Sequence, residues 1–254
     1  MTLATLSSIV KQGTFVPDDV MKNFQACLNN GAFTQYGKAF GSGRGTRNAI
    51  DRFAHGIPAV ECGGRAMTNN GNGALMRILP VAVIDSDRVV KNRTLSAAHC
   101  THGHQISDFA CIVYASIIQN LINGMDKDYA VEAGILKHWV QVKNVFVLFG
   151  YRRLKRIKTV PRGLIFSSGY VVHTLEAALW CFLNTNGYRE CILTAVNLGG
   201  DANTVAAVAG GLAGIYYKSS ITKGIPHEWI EQIPRHTWIA QLCMEHEEKQ
   251  YDYL

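Results

Sequence analysis

The sequence predicts an all-α fold, a bundle of many short helices, on three observations. Apolar residues recur at helical spacing in one segment after another. Proline, glycine and capping residues punctuate those segments at short intervals. No stretch alternates apolar and polar side chains as a half-buried strand would. The chain has 254 residues, 48% of them hydrophobic. That suits one domain with a full core, expected to run over residues 1–254.

The elements follow in order. Residues 2–11 read as a short helix without a preceding cap. Pro17-Asp18-Asp19 opens a second helix, with Val20, Phe24, Cys27 and Leu28 on one face and Gly31 at its close. Residues 31–48 are glycine-rich and loop-like. Gly41, Gly43 and Gly45 lack the Lys-Ser/Thr ending of a phosphate loop, and no β-rich run precedes them. Thr46 is expected to cap a helix carrying Ile50 and Phe53. Asn69-Asn70-Gly71-Asn72-Gly73 is a turn leading into an apolar helix from Ala74. Asp85-Ser86-Asp87 breaks the pattern, and residues 89–100 form the next helix. After Thr101-His102-Gly103-His104, a helix starts at Gln105 or Ser107, with Phe109, Ile112, Val113, Ser116 and Ile117 facing inward.

Residues 129–149 read as one long helical stretch. A basic run follows, with Arg152, Arg153, Lys155, Arg156 and Lys158 close together. It lacks the aromatic interleaving or recognisable module of a nucleic-acid site, so it is expected to be a solvated helix end or loop. Ser167-Ser168-Gly169-Tyr170 opens a wide-faced, buried helix over residues 171–183. Helices are then expected over residues 189–197, from Pro226 with Trp229 and Ile230, and over residues 235–248.

Composition excludes several function classes. The net charge of +6 permits an anionic ligand but does not demand nucleic acid. The seven cysteines form no Cys-x-x-Cys pair, so neither a zinc knuckle nor a disulfide framework is indicated. A reducing cytosol fits them best. The N-terminus has no basic lead or cleavage site. The apolar run over residues 205–217 is too short and too glycine-rich for a membrane span of about 20 residues. A cytoplasmic protein without membrane or nucleic-acid partners is expected.

Residues 197–217 carry the densest chemistry. Gly199 and Gly200 make a turn that lets backbone and ligand come close. Asp201, Asn203 and Thr204 follow, at the start of a helix apolar on every side. Oxygen donors clustered there suit a hard cation such as Mg²⁺ or Mn²⁺, or else Asp201 is an N-cap and Thr204 part of the first turn. The turn at Asn70, Gly71, Asn72 and Gly73 either aims backbone N–H groups at an anion or is an ordinary Asn-Gly turn. His99, His102 and His104 match no zinc spacing, and no cysteine or acidic partner is apparent nearby. A loop histidine contacting a ligand, or one exposed to solvent, remains. Tyr170 offers its ring to a base or simply packs.

Four stretches resemble the ADP-ribosylglycohydrolase family, the relatives of dinitrogenase-reductase-activating glycohydrolase. They are Asn70-Gly-Asn-Gly-Ala-Leu-Met-Arg-Ile-Leu-Pro80, Thr101-His-Gly-His104, Ser168-Gly-Tyr-Val-Val-His-Thr-Leu-Glu-Ala-Ala-Leu-Trp180 and Leu198-Gly-Gly-Asp-Ala-Asn-Thr-Val-Ala-Ala-Val-Ala-Gly-Gly-Leu-Ala-Gly214. The resemblance implies an orthogonal multi-helix bundle that hydrolyses the bond between ADP-ribose and a protein or small-molecule acceptor, using two Mg²⁺ or Mn²⁺ ions. It implies that Asp201 is catalytic, that Asp201, Asn203 and Thr204 hold metal, and that Asn70, Gly71, Asn72, Gly73, His102 and Tyr170 contact ADP-ribose. Two departures accompany it. The family's Thr-Asp-Asp triad belongs just before a helix resembling residues 1–6, so the N-terminal segment is expected to be absent. Asn203 stands where the family's Asp-x-Asp-Thr motif has a carboxylate. Weakened metal binding and impaired turnover are the expected result, with ADP-ribose binding or a structural role as the alternative.

Overall fold

The computed structural model describes residues 1–84, 90–218 and 220–251. Among them are thirteen α-helices and no strand. They are α1 (Thr2–Gln12), α2 (Pro17–Asn30), α3 (Arg44–Ala54), α4 (Leu79–Ile84), α5 (Val90–His99), α6 (Gln105–Ile122), α7 (Lys127–Trp139), α8 (Val145–Gly150), α9 (Val171–Leu183), α10 (Tyr188–Val196), α11 (Ala202–Tyr217), α12 (His227–Glu231) and α13 (His236–Tyr251). The expected all-α multi-helix fold is the one observed. The Asp85-Ser86-Asp87 break lies outside the described residues.

Helix α6 is the hub, packing against α4, α5, α7, α8, α9 and α11. It has the length and hydropathy of a membrane span, yet 72% of it is buried inside the fold. Burial of an all-round apolar helix is the ordinary solution in a core. Helix α9 lies on α6, α11 packs on both, and α10 packs on α11 and α9. The small residues of α11 permit this closeness. A Cβ on Gly211 would lie 2.3 Å from the Tyr114 hydroxyl of α6. That hydroxyl donates to the Val208 carbonyl of α11 at 3.1 Å. Gly211 thus lets a buried tyrosine find its partner, which a buried polar group requires.

The helix boundaries follow from local chemistry. Pro17 begins α2 with Asp18 and Asp19 in its first turn, and Gly31 ends it at φ 67°. An acidic first turn complements the positive end of the helix dipole. His104 caps α6, its Nδ1 accepting from the Ile106 N–H at 3.2 Å.

Three expectations are corrected. Residues 129–149 are two helices, because Asp126 caps α7 and Asn144 caps α8, accepting from the Phe146 N–H at 2.9 Å. Thr46 does not cap α3: Gly43 holds that position, and Thr46 is buried inside the helix. The apolar stretch from Ala74 first makes a 3-10 turn at Leu75–Arg77, and α4 starts only at Leu79. Pro80 then sits in the first turn of α4, where a missing N–H costs nothing. The basic run is exposed at Arg152, Lys155, Arg156 and Lys158, as a solvated segment should be, and from Leu154 to Thr159 it forms a 3-10 helix whose cations also find partners. Lys158 pairs with Asp128 at 2.5 Å, Lys155 lies over the Trp139 ring, and Arg153 approaches the buried Glu176 at 3.5 Å.

Candidate functional site

Backbone links join loops that are far apart in sequence around the mouth of α9. Gly71 and Tyr170 form an isolated antiparallel bridge. In it the Asn72 N–H donates to the Gly169 carbonyl at 3.1 Å and the Val171 N–H to the Asn70 carbonyl at 3.0 Å. Gly64 and His102 form a parallel bridge, in which the Gly103 N–H donates to the Gly64 carbonyl at 3.0 Å. The Asp201 N–H donates to the Ser167 carbonyl at 2.6 Å. Gly200 makes that last link possible: its φ is 59°, and a Cβ there would lie 2.3 Å from the Ser167 oxygen. Only glycine adopts that conformation in that space without strain.

Side chains complete the join. Asp201 occupies the N-cap position of α11, yet its carboxylate accepts no backbone N–H of the first turn. Instead Oδ2 accepts from the Asn72 amide at 2.7 Å, and Oδ1 accepts from the Thr204 hydroxyl at 2.8 Å. The Asn72 amide also donates to the Thr174 hydroxyl of α9 at 2.8 Å. Thr204 is buried, Asp201 half-buried and Asn203 exposed. Asn70 is turned into the fold: its amide nitrogen donates to the Met67 carbonyl, and its oxygen accepts from the Ser107 hydroxyl. Tyr170 is half-buried, its ring edge-on to His173 with centroids 5.2 Å apart.

His102 lines an adjacent cavity of about 220 Å³, together with Arg44, Asn48, Arg52 and Asn69. His102 is only 4% exposed. Burial, then the charge of Arg77, pushes its pKa down to about 3, so the ring is neutral at physiological pH. Arg77 is itself buried, over the Phe24 ring. Its guanidinium donates to the Gly73 and Ala97 carbonyls and to the Thr101 hydroxyl, which neighbours His102. The two neighbouring histidines make structural contacts. His104 caps α6, and His99 pairs with Asp108 at 2.9 Å, an acidic partner the sequence did not reveal.

The structure therefore gathers Asn70, Gly71, Asn72, Gly73, His102, Tyr170, Asp201 and Thr204 at one locus, with Asn203 exposed beside it. Sequence reasoning missed Thr174, Thr101, Arg77 and the first residues of α3, Arg44 and Gly45. A lone charge inside the apolar run Leu75-Met76-Arg77-Ile78-Leu79 was the available signal for Arg77.

As a metal site these residues are sparse. Among the described residues no group of three or more His, Cys, Asp or Glu side chains could hold an ion. Asp201 is the single carboxylate, and both its oxygens already accept hydrogen bonds. Divalent ions of this class take about six or more oxygens, several of them anionic. The donors present offer one edge for an ion and do not fit a pair.

A family model for ADP-ribosylglycohydrolase matches residues 1–253. The chain belongs to the ADP-ribosylglycohydrolase family. Among its family relatives, the ADP-ribosylarginine hydrolase Tri1 of Pseudomonas putida (strain GB-1) is 30% identical over 247 residues, covering 96% of this chain and 64% of the relative. Tri1 of Serratia proteamaculans (strain 568) is 32% identical over 219 residues, covering 84% and 56%. The ADP-ribosyl-[dinitrogen reductase] glycohydrolase of Rhodospirillum rubrum is 29% identical over 236 residues, covering 92% and 71%. The chain thus spans less than two thirds of the length of the two Tri1 proteins. A solved structure described as an ADP-ribosylglycohydrolase-related protein complex superposes with a TM-score of 0.79 at 27% identity, covering 98% of this chain and 79% of that one. The helical bundle described above is therefore the ADP-ribosylglycohydrolase fold.

Proposed function

We propose that this chain recognises the ADP-ribose group of an ADP-ribosylated acceptor and acts as an ADP-ribosyl hydrolase of its family, with arginine as the favoured acceptor. The likeness to the two ADP-ribosylarginine hydrolases supports that acceptor. The observation carrying the reading is the Asn72–Asp201 hydrogen bond, which sets the single carboxylate beside the glycine turn, His102 and Tyr170. In this reading the Asn70–Gly73 turn and His102 hold the pyrophosphate and ribose, and Tyr170 offers its ring to the base. Asp201 accepts a proton from the water that attacks the anomeric carbon. The new carbon–oxygen bond forms as the carbon–nitrogen bond breaks through an oxocarbenium-like state, and the acceptor nitrogen takes up a proton. Mg²⁺ or Mn²⁺, where bound, would use the oxygens of Asp201, Thr204 and Asn203 and supply electrostatic stabilisation.

One observation favours a second reading, binding with little turnover. Asp201 is the only carboxylate of the cluster, and the exposed Asn203 offers a neutral oxygen. One experiment separates the two. The protein is incubated with an ADP-ribosylarginine peptide and Mn²⁺ or Mg²⁺, beside Asp201→Asn, while calorimetry follows ADP-ribose binding. Released ADP-ribose that depends on Asp201 supports hydrolysis. Heat of binding without release supports the second reading. Neither heat at millimolar ligand nor release rejects both.

A further inference from the structure

We infer that Arg77 and Thr101 are positioning residues that hold His102 in its Nε2–H form, so that the recess beside it presents a fixed hydrogen-bond donor to an anionic oxygen such as a phosphoryl oxygen. That the oxygen belongs to ADP-ribose rests on the function proposed above; the hold on the ring does not.

The argument is an inventory of protons. A guanidinium has donors and no acceptor. Arg77 is 3% exposed and donates to the Gly73 carbonyl at 2.6 Å, the Ala97 carbonyl at 3.2 Å and the Thr101 hydroxyl oxygen. The Thr101 oxygen therefore accepts. It has one proton of its own, and its other partner is Nδ1 of His102 at 2.7 Å. Thr101 is 1% exposed, so water offers that proton no alternative. If Nδ1 carried the ring proton, the Thr101 proton would be buried without an acceptor, a costly state. The consistent assignment is Arg77 to Thr101 to Nδ1, which leaves the ring proton on Nε2.

Nε2 faces a wall of glycines. A Cβ at Gly71 would lie 3.3 Å from it and a Cβ at Gly45 would lie 3.5 Å away, while a Cβ at Gly73 would lie 3.1 Å from Cε1. Among the described residues no protein group accepts from Nε2, and that atom is not among the buried unpartnered ones: the residue is 4% exposed and lines the recess, so Nε2 is the part of the ring left open to an incoming oxygen. Arg44 and Arg52 line the same recess, so an oxygen that docks against Nε2 is favoured if it is anionic. Burial and the Arg77 charge also keep the ring neutral, which leaves Nδ1 free to accept.

The test reads the ring directly. Long-range ¹H–¹⁵N spectra of the wild type distinguish a protonated Nε2 from a protonated Nδ1 without any ligand. Thr101→Val removes the hydroxyl at nearly constant shape, and Thr101→Ser restores it. The expected result is a pure Nε2–H ring in the wild type and Thr101→Ser, and a mixture in Thr101→Val. ADP-ribose and inorganic pyrophosphate are expected to bind Thr101→Val about tenfold more weakly, with Thr101→Ser close to wild type. A wild-type ring protonated on Nδ1, or an unchanged tautomer in a folded Thr101→Val, overturns the inference. If the wild type binds neither ligand, the proposed function fails, while the ring spectra still decide the tautomer.

Discussion

The amide of Asn72 donates to the carboxylate of Asp201 at 2.7 Å across 129 positions of sequence. The bond ties the Asn70–Gly73 turn to the start of α11, and Thr174 brings in the mouth of α9 through the same amide. Asn72→Ala should therefore loosen three elements together. The expected loss is about 1–3 kcal/mol, because one partner of a largely buried network disappears. A thermal scan should show a fall of several degrees, and calorimetry a weaker grip on ADP-ribose. Unchanged melting would mean that the bond organises nothing.

Asn203 sits exposed in the first turn of α11. Asn203→Asp adds a negative charge where the helix dipole favours one, by about 0.3–1 kcal/mol. It also doubles the carboxylates available to a cation. Titration with Mn²⁺ should show tighter binding, and any ADP-ribose release should rise with it. Equal Mn²⁺ affinity in both proteins would remove Asn203 from the cation edge.

His102 makes stability depend on pH. Its folded pKa of about 3 lies below the ordinary 6.5, chiefly through burial and then through Arg77. The unfolded chain therefore binds the extra proton between those values, so stability falls as pH drops from 6.5 towards 3. His102→Gln removes that proton from the balance. Denaturant titrations across this window should show a shallower pH slope for the variant, by up to about 1.4 kcal/mol per pH unit. Parallel slopes would mean that the ring titrates normally in the folded protein.

Gly200→Ala should damage the site from the backbone outward. The new methyl would meet the Ser167 carbonyl at a residue with φ 59°. The strain of such a residue is about 1–3 kcal/mol, and the Asp201–Ser167 bond would have to lengthen. Reduced thermal stability together with reduced ADP-ribose affinity is expected. Wild-type behaviour in both would show that the turn relaxes freely.

Much of this was legible in the residues themselves. Pro17 with its two aspartates, Gly31 and the small-residue stripe of α11 each carry a local signal, and each lies where that signal put it. Asn72, His102, Tyr170 and Asp201 were identified from separate motifs, and they converge. The illegible part is what depends on three dimensions. Nothing near Thr174 or Thr101 marks them as partners of Asn72 and His102, because hydroxyls in helical or loop sequence usually serve their own backbone. Asp108 was hidden in the same way, since its pairing with His99 depends on the angle between α5 and α6. The split between α7 and α8 was available in Asn144, but continuous apolar spacing outweighed one capping residue. Gly41, Gly43 and Gly45 lack the ending of a phosphate loop and carry no other local signal, whereas the contribution of Gly45 is its closeness to the imidazole.

The two isolated bridges, Gly64 with His102 and Gly71 with Tyr170, are made by main-chain atoms. Their geometry is indifferent to most of what mutation alters nearby. A lineage carrying them can exchange the groups that perform chemistry while the outline of the cleft survives. Resemblance in shape would then outlast resemblance in reactivity, and a descendant that had ceased to be a catalyst would still be moulded around its ancestor's substrate.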